Sequence, residues 1–182
     1  MVTTQRRLRG RLRKGVLLVH IISVGAWFGI DVVLAVLVFT ALLTDDTGVA
    51  VTSLAALELF AVWPMLVASL LSLASGIVLG LGSKWGILRY WWVLVKLVIN
   101  VGMSALIVFA LRPGIGDAAE YAGRLAAGDA TATMPEDLIF PPIVSPTLLL
   151  IAFTLSVLKP WGRVRASSPP PRVASEEIYA AA

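Results

Sequence analysis

The sequence predicts an all-α membrane protein: a bundle of four transmembrane helices with both termini in the cytoplasm. Four long apolar runs carry this prediction, at residues 16–43, 57–82, 91–111 and 139–158. About 18 or more apolar residues in succession let a helix cross the hydrocarbon core, where it satisfies its own backbone hydrogen bonds. Composition agrees, because 58% of the 182 residues are hydrophobic and 14% are charged, whereas soluble domains carry about 25% charged residues.

The charges between the runs alternate in sign and predict the orientation. The segment before the first run carries six basic residues and no acidic one: Arg6, Arg7, Arg9, Arg11, Arg13 and Lys14. The second connection and the start of the tail are also basic, whereas the first connection and residues 112–142 are mainly acidic. Short basic segments stay on the cytoplasmic side, so we expect the first connection and an outer loop at 112–142 to face outward.

This orientation predicts three parts of the chain. Residues 1–15 form a cytoplasmic polybasic arm, and 16–162 form the transmembrane domain. The first apolar run is about twice as long as a secretory signal's apolar region, so we interpret it as a retained first span. Residues 163–182 contain a run of serines and prolines that cannot bury a core, and we expect a disordered cytoplasmic tail.

Aromatic residues support the same orientation. Tryptophan and tyrosine concentrate where a membrane meets water. On the predicted topology, five of them form a belt at the inner interface: Trp85, Tyr90, Trp91, Trp92 and Trp161.

The fourth run is the least regular. Three prolines lie near its start: Pro141, Pro142 and Pro146. They predict that regular helix is limited before Thr147, with Ser145 capping a helix that begins at Pro146. The alternative is irregular backbone at 140–145, buried against the other helices. Within the outer loop, residues 115–127 are expected to form a short surface helix.

Small residues recur at four-residue spacing, which lets helix backbones approach closely. Two such series occur, in the first span and in the second: Gly25 and Gly29, then Ala68, Ser72, Gly76 and Gly80. Packing within the bundle is the favoured interpretation, and a homo-oligomer seam is the alternative.

Ionisable residues inside spans are costly and mark function or a buried pair. His20 and Asp31 share one face of the first span, and Lys96 and Asn100 share one face of the third. We therefore predict an interior polar line, with Asp31 near the bilayer middle. The simpler alternatives are an interfacial His20, a Lys96 that reaches the headgroups, and a structural hydrogen bond from Asn100 or a serine to Asp31.

Several kinds of chemistry are disfavoured. The chain has no cysteine and one histidine, which excludes disulfides, thiolate metal sites and a multi-histidine site within one chain. No phosphate-binding loop, nucleophile–base pair or metal-ligand spacing is present, so we predict no enzyme, cofactor or metal. The basic arm lacks interleaved aromatics, and anionic lipids rather than nucleic acid are its expected partner.

Three short segments carry a resemblance to known proteins: residues 20–29, 82–96 and 158–162. They resemble a family of small four-helix membrane proteins of unknown function from actinobacteria and other Gram-positive bacteria, over about residues 16–165. The opening, with His20 followed by Gly25, Trp27 and Gly29, is distantly similar to copper-resistance protein D-type membrane proteins. The further histidines and methionine clusters of a copper or haem site are missing. The resemblance implies a fold and a location in the cell membrane, and no reaction.

Three functions follow from these patterns. The first, which we favour, is a non-catalytic structural or partner-binding component of the cell membrane, alone or with another membrane protein or a second copy. The second is a small proton- or ion-handling transporter or channel component that uses the polar line. The third is a haem- or metal-binding protein in which two copies of His20 meet in a dimer.

Overall fold

The computed structural model describes residues 10–83, 87, 90–160 and 162. The N-terminal residues 1–9, Trp85, Trp161 and the tail 163–182 lie outside them, so the predictions for these segments stay predictions. Six α-helices, a π-helical turn and a 3-10 turn follow in chain order: α1 Gly10–Leu43, α2 Thr47–Phe60, α3 Trp63–Leu81, α4 Trp91–Leu106, the π turn Ile107–Leu111, α5 Arg112–Ala126, the 3-10 turn Glu136–Ile139 and α6 Pro141–Leu158.

These elements join into four helical segments that are long and apolar enough to cross a membrane: Gly10–Leu43, Thr47–Leu81, Trp91–Ala126 and Glu136–Leu158. The prediction of an all-helical protein with four membrane-length helices is confirmed. We call the end of the bundle with Gly10 and Leu158 the basic end, and the end with Leu43 and Pro141 the acidic end.

The first connection is much shorter than predicted. Only residues 44–46 separate α1 from α2, and the Asp46 side chain accepts a hydrogen bond from the Val49 backbone N–H at 3.1 Å. Asp46 is therefore the N-cap of α2, since a carboxylate satisfies a free N–H of a first helical turn. The second segment begins ten residues before the predicted span, and it is interrupted at residues 61–62, before Pro64.

The third segment continues past its predicted end. The helix predicted at residues 115–127 is present as α5, which begins at Arg112, directly continues the third segment and ends at Ala126. Pro113 has no N–H and its ring crowds the preceding turn. The five-residue π turn ends two residues before Pro113 and shifts the hydrogen-bond register. The helix therefore continues through the proline.

A tight surface turn follows α5. Gly128 has φ of +79°, a conformation that favours glycine after a helix. Asp129 accepts hydrogen bonds from the Thr131 hydroxyl and backbone N–H and from Arg124 Nε. The Thr131 bonds, followed by the Arg124 bond, lower the pKa of Asp129 to about 2.

The expected late start of the fourth helix is wrong. α6 begins at Pro141, and Pro146 lies inside it. Prolines in the first turn cost little because those N–H groups lack helical partners. Pro146 removes one backbone bond, which the helix tolerates. Ser145 is consequently a residue of the helix rather than its cap.

Four helices form a ring in which sequence neighbours are also neighbours in space. α1 packs against α3, α3 against α4, α4 against α6, and α6 returns to α1. At the acidic end, α2 packs against both α1 and α5. The largest fully buried apolar side chains lie along α1 and α2: Trp27, Val38, Leu54 and Leu57.

The small-residue series differ in what they contact. A Cβ at Gly76 would lie 3.3 Å from His20 Cε1, and one at Gly80 would lie 2.8 Å from Ile87 Cγ1. Ala68 and Ser72 are buried on the same helix. Cβ atoms at Gly25 and Gly29 would meet nothing within 4 Å. Packing within the bundle is therefore wrong for Gly25 and Gly29, which lie on the uncovered face of α1.

We expect Gly80→Ala to destabilise the bundle, because the added methyl overlaps Ile87 Cγ1. Overpacking of this kind costs about 1 kcal/mol or more. Thermal unfolding of the purified protein in detergent measures the effect. Gly102→Ala is the control, since its Cβ has open space; equal melting temperatures for the two variants would contradict the packing.

Candidate functional site

Hydrogen bonds between side chains on different helices connect the polar residues of the bundle. His20, Asp31, Lys96 and Asn100 each contact a serine of another helix. Two of these serines lie on α3 and two on α6. Serine is thus the common partner, and the four predicted residues do not bond one another.

His20 is held against α3. Its Nδ1 lies 2.9 Å from Ser75 Oγ and 3.1 Å from the Ser72 carbonyl oxygen. A carbonyl only accepts, so Nδ1 carries the proton and donates. Gly76 leaves room for the ring, because any side chain there would press on His20 Cε1. The glycine spacing on α3 therefore serves to seat the histidine.

Asn100 joins the same group from α4. Its Nδ2 donates to Ser72 Oγ at 3.1 Å, so Ser72 contacts His20 through its carbonyl and Asn100 through its hydroxyl. Asn100 Oδ1 is buried and has no hydrogen-bond partner among the described residues.

Lys96 lies across the bundle from α4 to α6. Its Nζ donates to Ser156 Oγ at 2.9 Å and lies 4.7 Å from the centre of the Trp92 ring. The ammonium is therefore attracted by both a hydroxyl and an aromatic face. Trp92 is buried within the protein, and its position at a membrane interface stays a prediction. Trp91, by contrast, is 46% exposed, and Tyr90 is partly exposed.

Asp31 forms a separate site. It is 1% exposed, and its Oδ2 accepts a hydrogen bond from Ser145 Oγ of α6 at 2.8 Å. Its other oxygen, Oδ1, has no donor within the part of the chain that the structure describes. Among the described residues, the salt bridge is the surface pair Arg124–Asp129. No described lysine or arginine therefore forms an ion pair with Asp31.

The polar residues thus form two groups rather than one line. Ser145 and Ser156 are eleven residues apart on α6, about 16 Å along the helix. Lys96 and Asp31 therefore lie at different heights. Ser145 is four residues after Pro141, which puts Asp31 close to the acidic end rather than midway between the ends.

Trp27 separates the two groups. The side chain is completely buried, and it lies one turn from Asp31 on the same face of α1. Its indole Nε1 has no hydrogen-bond acceptor among the described residues. The buried ring therefore lies between Asp31 and His20 along this face of α1.

Sequence reasoning missed Ser145 and Ser156 as partners. Because Ser145 precedes a proline, the sequence pattern favours it as a helix cap. Ser156 lies near the end of an apolar run, and only the packing of α6 shows that it faces Lys96. No group of three or more histidine, cysteine, aspartate or glutamate side chains that could hold a metal occurs in the described residues.

Comparisons of the chain with protein-family models, with curated protein sequences and with solved structures gave no match. The candidate site must therefore be interpreted from its own geometry.

We expect Ser145→Ala to destabilise the protein by about 1–3 kcal/mol, since a buried carboxylate then loses its donor. Thr154→Val on the same helix is the matched control, because the Thr154 hydroxyl is exposed and bonds only the Leu150 carbonyl. Chemical or thermal unfolding in detergent provides the comparison. A Ser145→Ala protein as stable as Thr154→Val would show that the bond to Asp31 contributes little.

Proposed function

We propose that this chain is a non-catalytic component of the cell membrane, with both termini cytoplasmic, that binds a second copy of itself through α1. The observation that carries the proposal is the uncovered apolar face of α1. This face runs along the whole helix and continues past the point where the bilayer would end.

The different lengths of the helices support one position of the bilayer. α6 has 18 residues, about 27 Å, and α1 has 34 residues, about 51 Å. The hydrocarbon core is about 30 Å thick, so α6 matches it and α1 exceeds it. Since Asp31 lies opposite Ser145, Pro141 lies near the level of Ala35, and residues 36–43 of α1 project about 12 Å further.

α2 packs against α1, and α5 packs against α2. We call the projecting residues 36–43 together with α2 and α5 the outer cap. The basic residues at the start of α1 and the acidic connections support a position of this cap outside the cell, by the positive-inside rule.

One face of α1 is left uncovered by the bundle. At 100° per residue, six residues fall within about 60° of one another: Leu18, Ile22, Gly25, Gly29, Val36 and Leu43. The four large side chains are 58%, 61%, 59% and 81% exposed, respectively. The glycines between them leave the backbone open to close approach.

A shallow groove lies on the same face at the outer cap. Its volume is about 560 Å³, and its lining is mainly apolar: Ala35, Val36, Phe39, Thr40, Leu43 and Thr44. Most of these residues lie beyond the hydrocarbon, where lipid does not cover them. Burial of this part against a partner gains hydrophobic free energy, which contacts inside the bilayer do not gain.

A second copy is the partner that the geometry favours. All copies insert with the same orientation, so two of them associate about an axis normal to the membrane. Each residue of the α1 face then meets its own counterpart. Glycine meets glycine within the bilayer, and groove meets groove at the outer cap.

Cysteine crosslinking tests this proposal cleanly, because the chain contains no cysteine. We expect Val36→Cys to form a disulfide-linked dimer on mild oxidation in membranes. Val101→Cys on α4 should not form one, although Val101 is also 49% exposed. Equal crosslinking of both variants would indicate random collision.

Gly29→Leu provides a second readout. The side chain enters open space in the monomer, so the melting temperature should change little while crosslinking through Val36→Cys decreases. If crosslinking does not decrease, the contact between the two copies does not include Gly29.

Proton or ion handling is the second candidate function. The observation that favours it is Asp31 Oδ1, a buried carboxylate oxygen without a donor in the described chain. A haem site between two copies of His20 has less support. His20 faces α3 with its Nδ1 engaged, on the side of α1 opposite to the uncovered face.

A further inference from the structure

We propose that the Asp31 carboxylate, the Ser145 hydroxyl and the Pro142 carbonyl bind a monovalent cation of the size of Na⁺. The inference rests on the second candidate function and is independent of association through α1.

The first argument is the charge on Asp31. An ionised carboxylate in an apolar interior is stable only when a cation or several hydrogen bonds compensate it. Ser145 provides one hydrogen bond, to Oδ2. Lys96, the described cation nearest to the core, bonds Ser156 about 16 Å away along α6. The described residues therefore leave Asp31 Oδ1 without a hydrogen-bond partner, and a cation bound there would keep the carboxylate ionised.

The second argument is the proline in α6. Pro146 has no N–H, so the carbonyl of Pro142 lacks the i+4 donor that it would otherwise have in the helix. Helix carbonyls point toward the C-terminus, so this oxygen lies near the level of Ser145. Pro142 is buried, which means that water does not solvate the carbonyl from outside.

The oxygen ligands define the class of ion. Carboxylate, hydroxyl and carbonyl oxygens suit hard cations rather than soft metals. A single carboxylate neutralises one positive charge. A divalent ion would leave a net charge in the low-dielectric interior, and Ca²⁺ takes six to eight oxygen ligands. A monovalent cation fits both the charge and the small number of ligands.

Acidic side chains near Asp31 attract cations from the acidic end of the bundle only. The 3-10 turn that leads into α6 begins with Glu136 and Asp137 and contacts α1. Acidic side chains there raise the local concentration of cations. On the other side, the buried Trp27 side chain lies between Asp31 and His20 along α1. Leu34 and Val38 are also buried beyond Asp31, so the ion would be held out of contact with water.

Thermal unfolding of the purified full chain in detergent tests the site, with NaCl compared with choline chloride at equal ionic strength. We expect Na⁺ to raise the melting temperature saturably, by about 5 °C at a hundredfold excess over its Kd. Asp31→Asn should abolish the rise. Glu58→Gln, an exposed carboxylate at the acidic end, should retain it.

Pro146→Ala separates a cation site from a purely structural hydrogen bond. The new N–H satisfies the Pro142 carbonyl, so the protein in choline chloride should be at least as stable as the original. Its apparent affinity for Na⁺ should fall about tenfold, which corresponds to the loss of one ligand worth about 1.4 kcal/mol. An unchanged affinity would remove the carbonyl from the site.

Equal melting temperatures in Na⁺ and choline would overturn the proposal, as would a full Na⁺ effect in Asp31→Asn. A stability that follows pH and ignores Na⁺ would show that Asp31 takes a proton instead. If Asp31→Asn does not fold, direct binding of ²²Na⁺ to the original protein and to Pro146→Ala decides the question. Crosslinking through Val36→Cys reports separately on association through α1.

Discussion

The hydrocarbon core contains no water, so the polar side chains inside this bundle depend on partners within the protein, on their own helix or on a neighbouring one. Serine hydroxyls on α3 and α6 meet this constraint for His20, Asn100, Lys96 and Asp31. These bonds set the relative heights of α1, α3, α4 and α6. The position of the outer cap and the separation of the two polar groups both follow from those heights.

The sequence allowed the number and character of the helices to be predicted, because span length and hydrophobicity are local properties. It was less informative about helix ends. Asp45 and Asp46 suggested an extended outer connection, whereas Asp46 caps α2. Pro141 and Pro146 suggested a late start for the fourth helix, although a first turn accepts proline. The same residue types mark loops and helix starts, and only the following backbone distinguishes them.

Partners across helices could not be predicted, because spacing within one helix does not identify the face that meets another. Gly25 and Gly29 have the same spacing as Gly76 and Gly80, yet the first pair is uncovered and the second is packed. His20 and Asp31 do share one face of α1, as predicted. Their assignment to a single polar line with Lys96 failed, because Asp31 bonds Ser145 whereas Lys96 bonds Ser156, about 16 Å away along α6.

The bond between Asp31 and Ser145 joins residues 114 positions apart, and this separation has a consequence for biosynthesis. Chains are made from the N-terminus, so α1 enters the membrane long before α6 is translated. Throughout that interval the Asp31 carboxyl lacks the donor it has in the finished bundle. A chain that stops short of α6 therefore lacks the Ser145 donor to the Asp31 carboxyl, and the interior is completed only when α6 packs.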